Sequence, residues 1–390
     1  MLIGQLINHR YRVVDILATG GQGVVALATD EHTHEQVAVK SLTSDPTLAT
    51  HDRDVARFMW AGSQRFNTAS VLDPIECGED GGLHYCVYPY VEGLDLGEMM
   101  TRRAGRFTND EILGVIGPVA GGLHAIHEGG IVHRDVKPAN IMISATGAVY
   151  VLDLGICTQP GRPLTSAGSL IGTPQWMAPE QFDAPSSVDR RADLYALGLI
   201  VYAMATGVVP RPQADYDELR RIANTPVPRA SSMCPGLPSS LDRFFASALA
   251  VDLPLRPHDA PGFMSELSRA LTGPPVRCLA CGARVSDSDS CTACRRAFHG
   301  SGTVLRLGTD HRYRVAVGSY TTGRRQLCPD DLRVSRSQLG VECGSEIRFS
   351  DCGAVNPTRV GGLVASRSIV NASSTIRLGA IECQLEVPRT

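Results

Sequence analysis

The sequence predicts a multidomain α+β protein, and three observations carry that prediction. Residues 8–272 open with alternating strand patterns broken by glycine-rich turns and continue in long helical patterns. Residues 274–300 begin at Pro274-Pro275 and gather four cysteines into two C-x-x-C pairs. Residues 303–390 read as short alternating strands, such as Tyr313-Arg314-Val315-Ala316-Val317 and Thr375-Ile376-Arg377-Leu378, separated by Gly, Asn and Pro. At 390 residues the chain has room for two or three domains, each burying its own core. There is no internal repeat and no long low-complexity run, and the short linkers predict closely packed parts.

Composition narrows the class. The chain is 43% apolar and 20% charged, ordinary for a soluble globular protein. Residues 276–390 hold 16 Arg against 10 acidic residues, a surplus of +6 that leaves −9 on residues 1–275. A mildly basic tail suits a phosphate-bearing partner, although scattered arginines commonly do no more than solvate a surface. The first ten residues lack a basic start followed by an apolar stretch, so no signal peptide is expected. Residues 194–209 are nearly uncharged, but they fall short of the roughly 20 residues that span a bilayer. Asp193 also abuts them, so they read as a buried core helix, and no membrane or nucleic-acid partner is expected. Of the 12 cysteines, four sit in the C-x-x-C pairs and the rest are scattered, a pattern that fits a reducing, cytoplasmic setting with one metal site.

Only two of the 37 basic residues are lysines, Lys40 and Lys137. Lys40 closes the strand-like Val37-Ala38-Val39-Lys40, and Lys137 lies in His133-Arg134-Asp135-Val136-Lys137-Pro138-Ala139-Asn140. A chain that otherwise uses arginine has kept a compact ammonium where a planar fork would serve badly. Upstream, Leu17-Ala18-Thr19-Gly20-Gly21-Gln22-Gly23-Val24-Val25 joins two strand-like runs. Its glycines let backbone N–H groups approach phosphate oxygens without interference from Cβ atoms. A dinucleotide fold uses a similar string but needs a helix directly after it, whereas residues 24–28 read as a second strand.

These segments resemble the protein kinase family, in its bacterial, eukaryotic-like serine/threonine class. The resemblance implies a bilobal kinase fold over 8–272 that binds ATP and Mg²⁺ (or Mn²⁺). Nucleotide contacts would come from Ala18, Gly20, Gly21, Gly23, Val25, Ala38, Lys40 and, in the hinge-like Tyr88-Pro89-Tyr90-Val91, from Pro89 and Val91. Lys40 would bridge the α- and β-phosphates, Asp135 would accept the substrate hydroxyl's proton, and Lys137 would steady the γ-phosphate. Asn140 and Asp153, the latter in Asp153-Leu154-Gly155, would hold the metal ion. Two departures stand out. Ala18 occupies the first glycine position, and Met59 stands where a helix glutamate should hold Lys40, with Asp52 and Asp54 the nearest acids.

The segment from Asp153 to Ala178-Pro179-Glu180 resembles an activation segment. Thr165, Ser166 and Ser169 are candidate phosphorylation sites, with Arg134 as the expected partner of a phosphate. Thr173 is expected near Asp135. Asp193 is expected to hold the catalytic loop's backbone, and Arg256 to pair with Glu180.

Cys278-Leu279-Ala280-Cys281 and Cys291-Thr292-Ala293-Cys294 form two knuckles nine residues apart. Two such knuckles build a tetrahedral four-sulfur shell suited to Zn²⁺, hence a small, structural zinc ribbon. A redox dithiol would need one C-x-x-C opening a helix.

Residues 303–390 resemble a forkhead-associated (FHA) β-sandwich, on Gly318, Val334-Ser335-Arg336-Ser337-Gln338 and Asp351-Cys352-Gly353-Ala354-Val355-Asn356. The family reads phosphothreonine, which implies that Ser335 meets a phosphate oxygen and Asn356 clamps the peptide. Ser319 replaces a phosphate-binding arginine and Gln338 a structural histidine, with Arg324, Arg325 or Arg336 as possible substitutes. The whole implies a cytoplasmic serine/threonine kinase acting on protein substrates and autophosphorylating, with a phosphothreonine-containing partner as one ligand of its last module. The alternative is a weakly catalytic pseudokinase scaffold, which Met59, Ala18 and the altered FHA loop favour. Against it stands the joint presence of Lys40, Asp135, Asn140 and Asp153.

Overall fold

The structure is a computed structural model. It describes residues 1–20, 23–43, 51–103, 105–153, 174–211, 214–234, 237–272, 276–285, 290–298, 304–307, 311–323, 327, 338–343, 345–354, 357–371, 374, 376–378 and 381–386. The chain divides into two compact units, Met1–Leu271 and Thr272–Thr390.

The first unit opens with six antiparallel strands: β1 (Leu6–Ile7), β2 (Tyr11–Gly20), β3 (Gly23–Asp30), β4 (Gln36–Leu42), β5 (Glu76–Asp80) and β6 (Leu83–Pro89). They lie in the order β1-β2-β3-β4-β6-β5. Burial alternates along β4, as the period of two demands, so Val37 and Val39 join Tyr11, Val13, Ala26, Ala28, Tyr85 and Val87 in one core. Gly23 begins β3 opposite Leu42, and a Cβ there would meet the Ser41 carbonyl oxygen at 1.8 Å. No larger residue fits that approach. Helix α1 (His51–Ser63) turns Phe58, Ala61 and Gly62 inward.

The structure corrects the cysteine reading at one point. Cys77 and Cys86 are joined as a disulfide, because the β5–β6 hairpin sets them directly opposite each other. Their pairing depends on hairpin register, which nothing in their spacing reveals.

The rest of this unit is mainly helical. β7 (Gly93–Asp95), β8 (Ile141–Ser144) and β9 (Val149–Val151) form a small sheet, flanked by α2 (Leu96–Arg103) and α3 (Asn109–Glu128). α3 starts in a capping box. The Thr108 hydroxyl accepts from the Glu111 N–H at 3.3 Å, and Glu111 accepts the Thr108 N–H at 2.7 Å. Such a cap stabilises a helix start by about 1 kcal/mol. After α4 (Pro179–Asp183) comes α5 (Arg191–Thr206), buried at every position from Ala192 to Thr206. α5 accounts for most of the apolar stretch 194–209. It lies in the middle of the core with α3, α7 (Ala230–Met233), α8 (Ser239–Ala248) and α9 (Ala260–Thr272) around it, and α6 (Tyr216–Ala223) packs beside α4. Burying each large apolar side chain of α5 contributes about 1.5–3 kcal/mol. Among the described residues no helix is long and apolar enough to cross a membrane.

The second unit is β-rich. Its larger sheet runs β10-β12-β11-β20-β19-β16-β17 and its smaller one β13-β14-β15-β18. The strands are β10 (Val276–Cys278), β11 (Val304–Leu307), β12 (His311–Arg314), β13 (Gly318–Thr322), β14 (Leu339–Cys343), β15 (Ile347–Asp351), β16 (Thr358–Val360), β17 (Leu363–Val364), β18 (Ser366–Val370), β19 (Ile376–Leu378) and β20 (Ile381–Glu386). Leu305, Tyr313, Ile376 and Leu385 from one sheet share a core with Val341, Phe349 and Val370 from the other. Among the described strands of this unit, β10 departs from antiparallel pairing and runs parallel to β12.

Candidate functional site

The site grows from three pieces of the first unit: the end of β4, the loop between α3 and β8, and Asp153, two residues past β9. Lys40 on β4 reaches across to Asp153, and its Nζ donates to the Asp153 Oδ1. The pair is largely shielded, with side-chain exposures of 13% and 28%. α1 gives Lys40 no ion pair among the described residues. Met59 is half-buried there, and Asp54 pairs instead with Arg57 on its own helix at 3.3 Å.

The 131–140 loop is held from below. Asp193, in the first turn of α5, accepts the N–H of His133 at 2.9 Å, the N–H of Arg134 at 2.7 Å and a bond from His127 Nε2 at 2.8 Å. Burial alone would push this carboxyl up. The His127 hydrogen bond, the nearby histidines and the Arg134 amide outweigh that and hold it below the ordinary carboxylate range. These bonds also fix an uncommon backbone at Arg134, with φ +67°, and Asp153 shares the left-handed region at φ +64°. A non-glycine residue held there costs on the order of 1–3 kcal/mol, tolerated where surrounding bonds dictate the geometry.

Within that loop the side chains converge on Asp135. Lys137 Nζ donates to its Oδ2 at 2.7 Å, and Asn140 Nδ2 donates to its carbonyl at 2.8 Å and to Oδ2 at 3.1 Å. Committing the Asn140 amide nitrogen to Asp135 leaves its Oδ1 as the ligand-type oxygen. The Leu152 N–H donates to the Asn140 carbonyl at 2.9 Å, and His133 Nε2 bonds the Leu152 carbonyl at 3.0 Å. Those bonds bring the loop beside Asp153. An amide oxygen and a carboxylate are hard donors of the kind Mg²⁺ takes, so this donor set fits that ion. Arranged this way, the site can hold a metal-bound polyphosphate against Lys40 and orient a hydroxyl at Asp135.

A second layer supports the segment after residue 173. Gln181 Nε2 donates to the Arg134 carbonyl at 2.9 Å, tying α4 to the loop. Arg256 grips Glu180 through both guanidinium nitrogens at 2.7 and 2.8 Å, and it lies 4.5 Å from the centre of the Tyr195 ring. Arg211, which nothing in the sequence reading singled out, is 5.2 Å from the same ring. Its guanidinium donates to the Met177 carbonyl and the Tyr195 hydroxyl, and burial lowers its pKa. In a chain so rich in arginine, one more after Val209-Pro210 gives no signal of its own.

The nucleotide side is partly described. Ala18 faces Val25 across β2–β3, Ala38 faces Tyr88 across β4–β6, and Pro89 ends β6 just before Val91. Gly20 ends β2 opposite Gly23, while Gly21 lies outside the described residues. So do Thr165, Ser166, Ser169, Thr173, Ser335, Asn356, Arg324, Arg325 and Arg336.

In the second unit, Cys278, Cys281, Cys291 and Cys294 bring their sulfurs within 4.8 Å of one another. The Cys278–Cys294 and Cys281–Cys291 sulfur pairs stand 3.7 and 3.6 Å apart. Tetrahedral Zn–S bonds of about 2.3 Å require sulfurs about 3.8 Å apart, so the cluster fits zinc. Burial pushes the Cys278 thiol up. Cys291 is also raised by burial, but the Cys294 and Ala293 amides draw it down to about 7. On the sandwich, Asp351 accepts the N–H groups of Gly353 (2.9 Å), Ala354 (3.3 Å) and Thr358 (2.7 Å). Buried Gln338 bonds the Thr358 hydroxyl at 3.1 Å. Ser319 is exposed on β13, opposite Glu342.

Comparison with known proteins agrees with this geometry. The model of a family described as protein kinase domain matches residues 11–265. The chain is 31% identical over 277 residues to the probable serine/threonine-protein kinase pknA2 of Bifidobacterium longum, covering 70% of this chain and 36% of that protein. It is 35% identical over 286 residues to the serine/threonine-protein kinase PknB of Mycobacterium tuberculosis, covering 69% and 44%. The chain thus spans less than half the length of these curated relatives. The crystal structure of the PknI kinase domain of Mycobacterium tuberculosis superposes with a TM-score of 0.55 at 27% identity, covering 69% of this chain and 99% of that one.

Proposed function

Because the chain belongs to the protein kinase family, we propose that it is an ATP-dependent serine/threonine kinase that phosphorylates protein substrates and itself. The single observation that carries this reading is the convergence of Lys40, Asp153, Asn140, Lys137 and Asp135 from three separate segments. Lys40 would hold the α- and β-phosphates, and Asp153 and Asn140 would hold Mg²⁺. When bound, the ion would neutralise negative charge on the phosphate oxygens. Asp135 takes the hydrogen bond of the incoming Ser or Thr hydroxyl and receives its proton, while Lys137, already bonded to Asp135, stabilises charge on the transferred group. The Gln181–Arg134 and Arg211–Met177 bonds keep the peptide-docking end of the 153–180 segment in register with Asp135.

Radiolabelled ATP with a generic basic protein, with Asp135→Asn as control, tests the proposal. Transfer onto Ser or Thr that the variant loses supports it, and equal transfer by both overturns it. One observation favours a scaffold instead: α1 offers Lys40 no carboxylate, and Lys40 is paired to Asp153. Tight Mg-ATP binding without transfer would select that reading.

The second unit is proposed to be a zinc ribbon joined to an FHA-like recognition module. The four-sulfur geometry supports the zinc, and two sheets sharing one core support the sandwich. For the module's ligand, the acidic Glu342 beside Ser319 weakens the case for a phosphate on that side. Binding of a protein partner is therefore the better supported role. Titrating the full chain with matched phosphothreonine and threonine peptides decides between them.

A further inference from the structure

β6 places Cys86 between two partners: Lys40 on β4 and Cys77 on β5 lie directly opposite it on either side. Directly opposed residues project from the same sheet face. Lys40, Cys86 and Cys77 therefore form one row, and the last two are bonded. Over the sulfurs lies the last turn of α1. A Cβ on buried Gly62 would stand 2.3 Å from the sulfur of each cysteine, and the Cys77 sulfur is 3.3 Å from the Gly62 carbonyl oxygen. Backbone thus rests on the disulfide with no side chain to absorb a change.

We propose that Cys77 and Cys86 are a reversible thiol–disulfide modification site that sets the seat of α1 on β5 and β6, next to the strand bearing Lys40, and thereby nucleotide affinity. The second half rests on the reading of Lys40 as the phosphate-binding lysine. Cys77 is half-buried and Cys86 is 1% exposed, so attack falls on Cys77. A thiolate of a small dithiol bonds to the Cys77 sulfur. The S–S bond breaks, and its electron pair leaves on Cys86, which takes a proton. The reagent's second thiol then closes its own disulfide, releasing Cys77 as a thiol. Two electrons and two protons have passed from the dithiol to the protein. The sulfurs then separate from about 2.05 Å to van der Waals contact, about 3.5–4.0 Å. Either a sulfur leaves the row or Gly62 lifts. The reduced state also has a place to settle, since the Cys77 S–H finds the Gly62 carbonyl as acceptor.

The test uses the full zinc-loaded chain, equilibrated with oxidised glutathione or with dithiothreitol. Peptide mass spectrometry without reduction follows the 77–86 link, and calorimetry measures Mg-ATP affinity. The oxidised form is expected to bind at least about fivefold more tightly, within the usual range of coupling between sites. Cys77→Ser should stay at the weaker value and ignore the oxidant. If that variant fails to fold, Cys77→Ala serves in its place. Free thiols at 77 and 86 under oxidant, or equal affinity in both states, overturn the proposal. No ATP binding in either state overturns the kinase reading instead. The redox site is then judged on the emission of Trp60, two residues before Gly62, in a Trp176→Phe background that leaves it the sole indole. A redox-dependent shift there supports the site, and an unchanged spectrum overturns it.

Discussion

Lys40 and Asp153 are bonded to each other although 113 residues separate them. Each is the other's counter-ion, and under the proposed function a metal-bound polyphosphate would come between them. Such a nucleotide would give the ammonium phosphate oxygens and the carboxylate a cation, so neither charge would be stranded. Lys40→Arg places a planar fork where a point charge is needed and should lower the transfer rate by about a hundredfold or more. Asp153→Asn should match it, as measured by radiolabel transfer. A loss below about threefold in both would contradict the roles assigned to the pair.

Buried charge makes Glu180 and Arg256 a structural pair, with side-chain exposures of 8% and 0%. Arg256→Ala strands a carboxylate and should cost about 3–5 kcal/mol in stability. Chemical denaturation of the variant measures this, and a change under about 1 kcal/mol would show that solvent reaches Glu180.

Asp193 predicts an acid limb. Its folded-state pKa is depressed, so its stabilisation is complete above its unfolded value of about 3.9 and is lost as pH falls through the lower folded value. Asp193→Asn removes the charge from three hydrogen bonds and should cost about 3 kcal/mol or more near neutrality. The gap in melting temperature between the two proteins should narrow at pH below about 4. A constant gap down to pH 2 would refute the linkage.

Arg211→Gln should raise the KM for a peptide substrate by about tenfold while leaving the KM for ATP within about twofold, because its bond lies on the docking segment. Equal changes in both constants would place its effect on folding instead.

Metal analysis should find about one zinc per chain, and Cys281→Ser should lower that content and the melting temperature of the second unit. Full metal loading of the variant would contradict the four-sulfur site.

The sequence disclosed what depends on local order and hid what depends on register. Asp135, Lys137 and Asn140 sit within one loop, and their mutual bonds follow from spacing. Asp193 was legible only through the kinase resemblance, since the N–H groups it receives are those of His133 and Arg134, about 60 residues away in the chain. Lys40's partner was not, because the choice between a helix carboxylate and Asp153 is made by where α1 comes to rest. The Cys77–Cys86 bond depends on how a hairpin is aligned, and Arg211 on a tertiary contact to Tyr195. In the second unit, Gln338 reads as a lost histidine, yet its amide is tied to Thr358 inside the core.

The parallel pairing of β10 with β12 bears on how this protein can be cut. Leu279, inside the first zinc-type knuckle, lies in the sandwich core, and its N–H donates to the Arg314 carbonyl at 3.0 Å. A fragment begun after residue 300 would remove that plug and leave β12 with an unpaired rim. Bare rims recruit strands from neighbouring molecules. Such a fragment should self-associate, whereas one begun near residue 272 keeps its border closed.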